Sequence, residues 1–388
     1  MQIIIKQKIL EKALAHANWI IERKNTVPIL GYVLFDANTD RGLTITATNM
    51  DMTIIDTINC EILENGTYCL PAGLLYDITK KLPSSAEVTL EKLNEKNSIK
   101  VQAGKASFEI NYMDASNFPP IANTVYDVNF SMNTKILKNA INISKVAMLQ
   151  DNTRFHLNGI HMHHENENGI NKLRFVATDL FRISCVSAPA PMETQNMPPI
   201  IISKRAVSEA LKLADTSVEE ATEISISENR ISFKIKSADD INTEFSSRLI
   251  NGTFPEYKAA LEVSNNKILT LNTDDFIDAL DRVSTVVMDS TNSIKIDIKQ
   301  DRAEISGISR EFGSAHEDVE ASFSVPENLE ICFNSKYLLE ILKEIKTPQT
   351  KMRLAESHSS TIIEPLYNDS MPDLDMVFAV MPIEIVQN

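Results

Sequence analysis

The sequence is short of the features that mark most secreted, membrane and redox proteins. Its 388 residues include four cysteines, Cys60, Cys69, Cys185 and Cys332, and none of them forms a CxxC pair. We therefore expect reduced thiols that are buried as small apolar side chains. No apolar run is long enough to cross a bilayer, and the first residues, MQIIIKQKILEK, lack the pattern of a signal peptide. These absences predict a cytoplasmic protein with no membrane partner.

Motifs for nucleotides, metals and catalysis are also missing. The chain has neither a Walker loop nor a GxGxxG motif, and no pair of nucleophile and base can be recognised along it. The stretch HMHH places His161 and His163 on one strand face, but no neighbouring carboxylate or cysteine completes a set of metal ligands. We expect no catalytic residue, no metal and no cofactor. A zinc enzyme remains the alternative, because catalytic partners can be distant in sequence.

Acidic residues outnumber basic ones, 53 to 38, which gives a formal net charge of −15. Such a chain is not expected to coat DNA by simple neutralisation of phosphates. The local potential governs an approaching polyanion, however, so basic residues gathered on one face could still bind it. The positions of the lysines therefore matter more than their number.

Two kinds of helix recur along the chain. Apolar residues three and four apart predict amphipathic helices over 7–21, 134–148 and 273–288, the last with Thr273 as its N-cap. A second helix is expected to begin near Pro71, near Ser203 and near Asn334. Each kind returns about every 130 residues, which indicates a repeated domain.

Short strands and turns accompany these helices. Three stretches read as β-hairpins: LTITATNMDMTII at 43–55, RFVATDLFRIS at 174–184 and AEISGISREFGSA at 303–315. In the second, Thr178, Asp179 and Arg182 interrupt an otherwise apolar pair of strands. The sequence thus predicts an α+β protein of three tandem repeats, with domains at 1–125, 126–261 and 262–388.

Five stretches resemble one family in order and spacing: TVPIL at 26–30, TRFHLNGI at 153–160, FVATDLFRIS at 175–184, NGTFPEY at 251–257 and AVMPIEI at 379–385. They are similar to the β subunit of bacterial DNA polymerase III, the replicative sliding clamp. The resemblance implies a non-catalytic processivity factor with three tandem copies of a DNA-clamp domain. It also implies a head-to-tail homodimeric ring around duplex DNA, bound without sequence preference. The implied protein partners are the replicative polymerase, the clamp loader and other clamp-binding proteins.

The resemblance further implies a hydrophobic groove in which short peptides of these partners dock. We call this surface the candidate groove. Its residues, carried over position by position, are Arg154, Leu157, Thr178, Leu180, Phe181, Arg182, Ile183, Pro255, Ala260, Ser360, Val380, Met381, Pro382 and Ile383. Ala259 and Glu384 depart from basic residues that the family often has, which predicts a less positive groove. If the groove binds peptides, Thr178 and Arg182 interrupt the strands in order to meet a ligand. The alternative is that Arg182 only pairs with Asp179 across the turn.

Basic residues on the second helix of each repeat are expected to face the duplex. The DNA-facing set is Lys24, Lys80, Lys81, Lys204, Arg205, Lys212, Lys336, Lys343 and Lys346. The helix at 273–288 is acidic instead, so the predicted lining is less positive on one side. A competing hypothesis is a peptide-binding scaffold that uses the same groove and never encircles DNA.

Overall fold

The structure is a computed structural model and describes residues 1–22, 26–93, 96–121, 123–151, 153–287, 292–367 and 373–383. Within these ranges the α-helices are α1 (Gln7–Ile20), α2 (Ala72–Lys81), α3 (Thr134–Ser144), α4 (Lys204–Thr216), α5 (Lys258–Leu261), α6 (Thr273–Ser284) and α7 (Ser335–Leu342). Helices α1, α3 and α6 lie where the apolar spacing predicts them, and α2, α4 and α7 begin near Pro71, Ser203 and Asn334 as expected. The helical part of the prediction is therefore confirmed.

The strands are short and numerous. Those of the first third are β1 (Gln2–Lys6), β2 (Tyr32–Asn38), β3 (Gly42–Thr48), β4 (Met52–Ile58), β5 (Glu61–Glu64), β6 (Gly66–Pro71), β7 (Glu87–Lys92), β8 (Ser98–Ala103), β9 (Ala106–Asn111) and β10 (Met113–Asp114). Those of the middle are β11 (Val128–Asn133), β12 (Gly159–Glu167), β13 (Ile170–Thr178), β14 (Arg182–Pro189), β15 (Ile200–Ser203), β16 (Ala221–Ile226), β17 (Arg230–Lys236) and β18 (Ile241–Arg248). The last are β19 (Lys267–Asn272), β20 (Ser293–Ile298), β21 (Arg302–Ser309), β22 (Gly313–Phe323), β23 (Leu329–Asn334), β24 (Gln349–Leu354), β25 (Thr361–Pro365) and β26 (Asp375–Val380).

The chain divides into two compact units, and the middle third contributes to both. Unit 1 contains residues 1–135 and 205–249, and unit 2 contains residues 136–204 and 250–388. In the described part of unit 1, an antiparallel five-stranded sheet has the order β5-β1-β7-β8-β9. A nine-stranded sheet has the order β10-β6-β2-β3-β4-β18-β17-β16-β11. Strand β4 pairs with β18, so strands distant in sequence share one sheet.

Unit 2 is built on one sheet with twelve strands among its described residues. Their order is β15-β12-β13-β14-β26-β25-β24-β19-β22-β21-β20-β23. The pairing of β14 with β26 repeats the pairing of β4 with β18 in unit 1. Helices α6 and α7 pack together, and α6 also packs against β21 and β22. The core of unit 2 lies between these helices and one face of the sheet, where Phe276, Leu338 and Phe378 are fully buried.

The three predicted hairpins are confirmed as β3–β4, β13–β14 and β21–β22. The predicted N-cap of the acidic helix is wrong, because Asn272 occupies that position. Its Oδ1 accepts a hydrogen bond from the backbone N–H of Asp275, 3.1 Å away. Thr273 is the first helical residue, and its hydroxyl is bonded to that of Thr350 instead. The cap at Asn334 is confirmed, since its Oδ1 accepts from the N–H of Lys336.

All four cysteines are free thiols, and three of them are buried. Burial raises the pKa of the Cys60 and Cys69 thiols to about 11, so both are protonated at neutral pH. The expected burial is found at Cys69, Cys185 and Cys332, whereas Cys60 is half-buried. Among the described residues, no helix is both long enough and apolar enough to cross a membrane.

Candidate functional site

The polar break of β13–β14 is a tight turn whose side chains hold its own backbone. The hydroxyl of Thr178 donates to the carbonyl of Arg182 at 2.8 Å and accepts from the N–H of Leu180 at 3.0 Å. One carboxylate oxygen of Asp179 accepts from the N–H groups of Phe181 and Arg182, each at 3.0 Å. These bonds satisfy a turn that Leu180 passes with a left-handed φ of 77°. Thr178 and Asp179 thus have a complete structural role.

The register of the strands divides the candidate groove between two faces of the sheet. Thr178 is opposite Ile183, and Ile183 is opposite Ala379 of β26. Arg182 is opposite Val380, and since side chains alternate along a strand, this pair points to the other face. That face is the one covered by helix α7, which Arg182 contacts.

Arg182 is buried, with a relative exposure of 6%. Its Nε lies 3.0 Å from Oδ2 of Asp179, and its Nη1 lies 2.5 Å from a carboxylate oxygen of Glu340. The guanidinium lies over the ring of Tyr337, 4.1 Å from the centroid. A buried arginine needs such partners, because an isolated buried charge is costly. The pairing of Arg182 with Asp179, left open by the sequence, is present, and the two partners on α7 are ones that sequence reasoning missed.

The segment that follows β18 covers the outer face of the same strands. Tyr257 and Leu261 join Val176, Cys185 and Ala379 in one buried cluster, as their apolar side chains pack together. Phe254, partly buried, packs against this cluster. Pro255 and Ala260 therefore lie on a segment that is fixed to the sheet by its aromatic and leucine side chains.

The histidine pair of β12 supports this segment. The ring of His161 stacks on that of Phe254, with 4.7 Å between centroids and 8° between planes. Nε2 of His163 lies 2.9 Å from the hydroxyl oxygen of Tyr257. Burial lowers the pKa of His161 to about 4 and also lowers the pKa of His163, so both rings are neutral at pH 7. Among the described residues no group of three His, Cys, Asp or Glu could hold a metal ion.

The candidate groove residues differ in how far they reach solvent. Four are buried: Leu157, Thr178, Arg182 and Val380. Six are half-buried: Ile183, Pro255, Ala260, Ser360, Pro382 and Ile383. Four are exposed: Arg154, Leu180, Phe181 and Met381. A ligand that approaches from solvent first meets the exposed group, while the buried group shapes the wall from beneath.

The exposed apolar side chains are large for surface positions. Phe181 is 61% exposed and Met381 is 43% exposed, and the N–H of Met381 donates to the carbonyl of Phe181 at 2.8 Å. Phe155, 58% exposed, lies on the short 3-10 helix that ends at Leu157. A Cβ at Gly252 would lie 3.6 Å from the Phe155 ring, so the 3-10 helix lies beside the segment that carries Pro255. Phe155 was missed as a candidate, although the stretch TRFHL contains it.

Next to the covered cluster is a charged cavity of about 450 Å³. Ion pairs line it: Arg174 with Glu165 and Glu167, and Lys172 with Glu167 and Asp375. Because acids and bases alternate around it, the cavity has little net charge of either sign.

The described residues of unit 1 that are predicted to face DNA lie on α2 and α4. Lys80 and Lys81 form the last turn of α2 and are exposed. The guanidinium of Arg205 lies 2.5 Å from a carboxylate oxygen of Glu22. Lys212 contacts both carboxylate oxygens of Glu209, at 2.9 and 3.0 Å. The pair of Arg205 with Glu22 is half-exposed and therefore weak, so Arg205 can exchange it for a phosphate. Glu209 is buried, and Lys212 also lies over the ring of Trp19. Lys24 lies outside the described residues.

The residues of unit 2 that are predicted to face DNA lie mainly on and after α7. Lys336, Lys343 and Lys346 are exposed, and the Nζ of Lys346 donates to the carbonyl of Lys343. Lys204 donates to the side-chain oxygen of Gln150.

Helix α6 is acidic, as predicted. Its Arg282 contacts Glu317 at 2.6 Å, and its exposed first turn carries Asp274 and Asp275. This helix therefore offers a polyanion no free positive charge.

Comparison with known proteins shows which family has this fold and this set of motifs. Three domain models of the DNA polymerase III beta subunit match in series: the N-terminal domain over residues 1–122, the central domain over 131–256 and the C-terminal domain over 259–379. Together with the antiparallel sheets and paired helices, they define the fold as three tandem clamp domains. The predicted α+β class and repeat are confirmed.

Curated relatives and solved structures agree over the full length. A beta sliding clamp of Caulobacter vibrioides is 33% identical, covering 99% of this chain and 100% of the relative, and one of Haemophilus influenzae is 28% identical with the same coverage. A crystal structure of the Caulobacter crescentus clamp matches with a TM-score of 0.92 at 32% identity. A Bartonella birtlesii clamp bound to griselimycin matches with a TM-score of 0.91 at 30% identity, and each structure covers 99% of this chain and is itself fully covered. The chain belongs to the beta sliding clamp family, the beta subunits of DNA polymerase III.

Proposed function

We propose that this protein is a processivity factor of DNA replication. Two copies close head to tail into a ring around duplex DNA and tether the replicative polymerase through the candidate groove. The observation that carries this proposal is the series of three clamp-domain matches along one chain. The protein has no catalytic step of its own, so an ATP-driven loader must open and close the ring. Its place is with the replication machinery in the cytoplasm.

We place the domains at 1–125, 126–261 and 262–388. The matches over 1–122 and 131–256 fall inside the first two domains, and the match over 259–379 begins three residues before the third. The pairings of β4 with β18 and of β14 with β26 support them, since each joins strands of successive repeats into a continuous sheet. Successive domains are thus linked by backbone hydrogen bonds.

The ring is supported by strand edges that each unit leaves open. In unit 1, β9 ends its sheet and pairs, among the described strands, only with β8. In unit 2, residues 313–320 of β22 pair with β21 on one side. On the other side β22 pairs with β19 only at residues 321–323, so residues 313–320 form an open edge. Phe108 on β9 is partly exposed, as an edge prepared for a partner would be. A heterologous contact between two different edges closes a ring of two copies.

The exposed lysines support a sliding contact with DNA. Lys80, Lys81, Lys336 and Lys343 offer phosphate contacts that carry no sequence information. The acidic helix α6 weakens the contact on its side. A topological link needs little affinity, because DNA cannot leave a closed ring sideways.

The candidate groove supports peptide docking. Leu180, Phe181 and Met381 present exposed apolar surface beside the half-buried Ile183 and Pro382. A partner peptide that covers such a patch gains by removing apolar area from water. The thioether of Met381 adapts to different side chains, which suits a site with several partners.

The test is retention on circular DNA. Protein loaded by a clamp loader onto nicked circular DNA should co-elute with it on gel filtration and should be released when the circle is linearised. Charge binding alone would survive linearisation, and a peptide-binding scaffold would never be retained. Either result would contradict the encircling ring while leaving peptide binding to be measured separately.

A further inference from the structure

Unit 1 contains a turn that repeats the hydrogen bonds of the β13–β14 turn. The hydroxyl of Thr48 donates to the carbonyl of Met52 at 2.9 Å and accepts from the N–H of Met50 at 3.1 Å. The side-chain oxygen of Asn49 accepts from the N–H of Met52 at 2.7 Å. Met50 has a φ of 77°, the value found at Leu180. The β3–β4 turn therefore has the same construction as the turn of the candidate groove.

The strand beside this turn is repeated as well. The N–H of Arg248 donates to the carbonyl of Asp51 at 2.8 Å, as the N–H of Met381 does to Phe181 at 2.8 Å. Arg248, which ends β18, thus holds in unit 1 the position that Met381 holds in unit 2. The backbone hydrogen bonds around the groove are thus repeated in unit 1, where an arginine takes the place of the apolar Met381.

A cavity of about 450 Å³ opens beside this turn, and we call it the unit 1 cavity. Its floor includes Thr53 and Ser246, which are opposite each other on β4 and β18. The corresponding pair in unit 2 is Ile183 and Ala379. Hydroxyl groups therefore replace methyl and aliphatic groups on the floor, so the unit 1 cavity prefers a ligand with polar atoms.

Charge identifies the polar ligand as an acid. Arg230 and Arg248 line the unit 1 cavity, and Glu244 is the carboxylate among its lining residues, which leaves a local excess of positive charge in a chain of net charge −15. The Arg248 side chain is 62% exposed, and Asp51, the acid with which it forms an ion pair, is 3.8 Å away. An exposed pair at that distance is weak, so the guanidinium is available for a bidentate contact with a carboxylate.

Apolar side chains lie beside these arginines. Met50 and Ile121 are exposed, and Val125 is 81% exposed. A cavity that combines two guanidinium groups with aliphatic surface fits an extended peptide in which carboxylates alternate with aliphatic residues. A nucleic acid fits less well, because its backbone offers no aliphatic side chains to Met50 and Val125.

We propose that the unit 1 cavity is a second peptide-docking site, which binds acidic, aliphatic segments of partner proteins. Arg230 and Arg248 receive the carboxylates, and Met50 and Val125 contact the aliphatic side chains. The two sites would let one copy hold two partners of different charge. This proposal needs only the geometry of unit 1 and stands whether or not the candidate groove binds peptides.

The experiment measures binding of two fluorescein-labelled peptides to the full-length protein by fluorescence polarisation. One has the sequence LEPIEL, and the other replaces both glutamates with glutamine. The acidic peptide should bind at least tenfold more tightly. The double variant Arg230→Ala/Arg248→Ala should remove that preference, and Val125→Asp should weaken the acidic peptide by repulsion. Arg41→Ala, at an exposed arginine in the turn between β2 and β3, should change neither affinity.

Thermal unfolding checks that each variant is folded. No loss of fold is expected, because Arg248 and Val125 are exposed and Arg230 is half-buried. Equal affinity for the two peptides, or no binding of either at millimolar concentration, would overturn the proposal. The proposal would also be overturned if Met381→Ala abolished binding of the acidic peptide while the double arginine variant still bound it, since binding would then belong to the candidate groove. If a single-stranded oligothymidylate displaces the acidic peptide and loses affinity in the double variant, the site is one for nucleic acid.

Discussion

Arg182 and Asp179 form a buried ion pair, with 3.0 Å between Nε and Oδ2, and the same guanidinium lies on the ring of Tyr337 from helix α7. The turn of β13–β14 is thereby joined to a helix that is distant in sequence. Any ligand that used Arg182 would have to compete with Asp179, Glu340 and Tyr337. The interactions therefore favour a role for Arg182 in shaping the candidate groove.

Replacing Arg182 with alanine should lower the free energy of unfolding by about 2 kcal/mol, because a buried carboxylate loses a charged hydrogen-bond partner. Urea denaturation measures this. Glu340→Gln is the matched control and should cost much less, since Glu340 is half exposed. An unchanged stability of Arg182→Ala, together with lost peptide binding, would assign the arginine to the ligand instead.

Leu157 and Phe181 should respond in opposite ways to truncation. Leu157 is fully buried, so Leu157→Ala should lower the free energy of unfolding by about 3 kcal/mol through the cavity it leaves. Phe181 is largely exposed, so Phe181→Ala should leave stability within about 0.5 kcal/mol and weaken a polymerase-derived peptide by about 1 to 3 kcal/mol. Calorimetric titration and thermal unfolding of both variants separate the effects. Equal peptide affinity of Phe181→Ala and the parent protein would remove Phe181 from the groove.

His161 should make stability depend on pH. Its pKa is about 4 in the folded protein, lowered from 6.5 by burial, so the unfolded chain binds a proton first. The stabilisation is complete above about pH 6.5 and is lost progressively as the pH falls from about 6.5 to about 4, by at most about 1.4 kcal/mol per pH unit for one proton. His161→Phe keeps a ring against Phe254 and should flatten the curve in that window. His358→Phe, at an exposed position, should not.

Exposed lysines should act on DNA additively and weakly. Lys343→Ala alone should change retention of the loaded clamp little, because the ring holds the DNA by topology. For unloaded protein, the triple variant Lys336→Ala/Lys343→Ala/Lys346→Ala should reduce the slope of log affinity against log salt by up to about 3, roughly one for each phosphate contact. Binding at several salt concentrations measures the slope. A slope equal to that of the parent protein would place these lysines away from DNA.

The sequence by itself determined the repeated elements of this protein. Apolar spacing located α1, α3 and α6 because a helix must bury one face, and the alternation around residues 174–184 defined a hairpin because strands alternate. Helix ends were less certain, since Asn272 and Thr273 can each cap a helix and only the backbone conformation decides between them. The family motifs identified the candidate groove because they contain all of its residues except Ala260 and Ser360.

Only the tertiary structure decided what those residues contact. The pairing of β14 with β26 joins residues about 200 positions apart along the chain, and no local pattern encodes such a register. That register turns Arg182 toward α7 and leaves Phe181 and Met381 exposed. Arg182 and Phe181 are nevertheless neighbours in one motif, and Met381 belongs to another motif of the same family. Likewise, Arg248 is an ordinary charged residue in the sequence, and it becomes part of a cavity only because β18 pairs with β4. The chemistry of each side chain can be read from the local sequence. The direction in which a side chain points depends on strands that pair only in the folded protein.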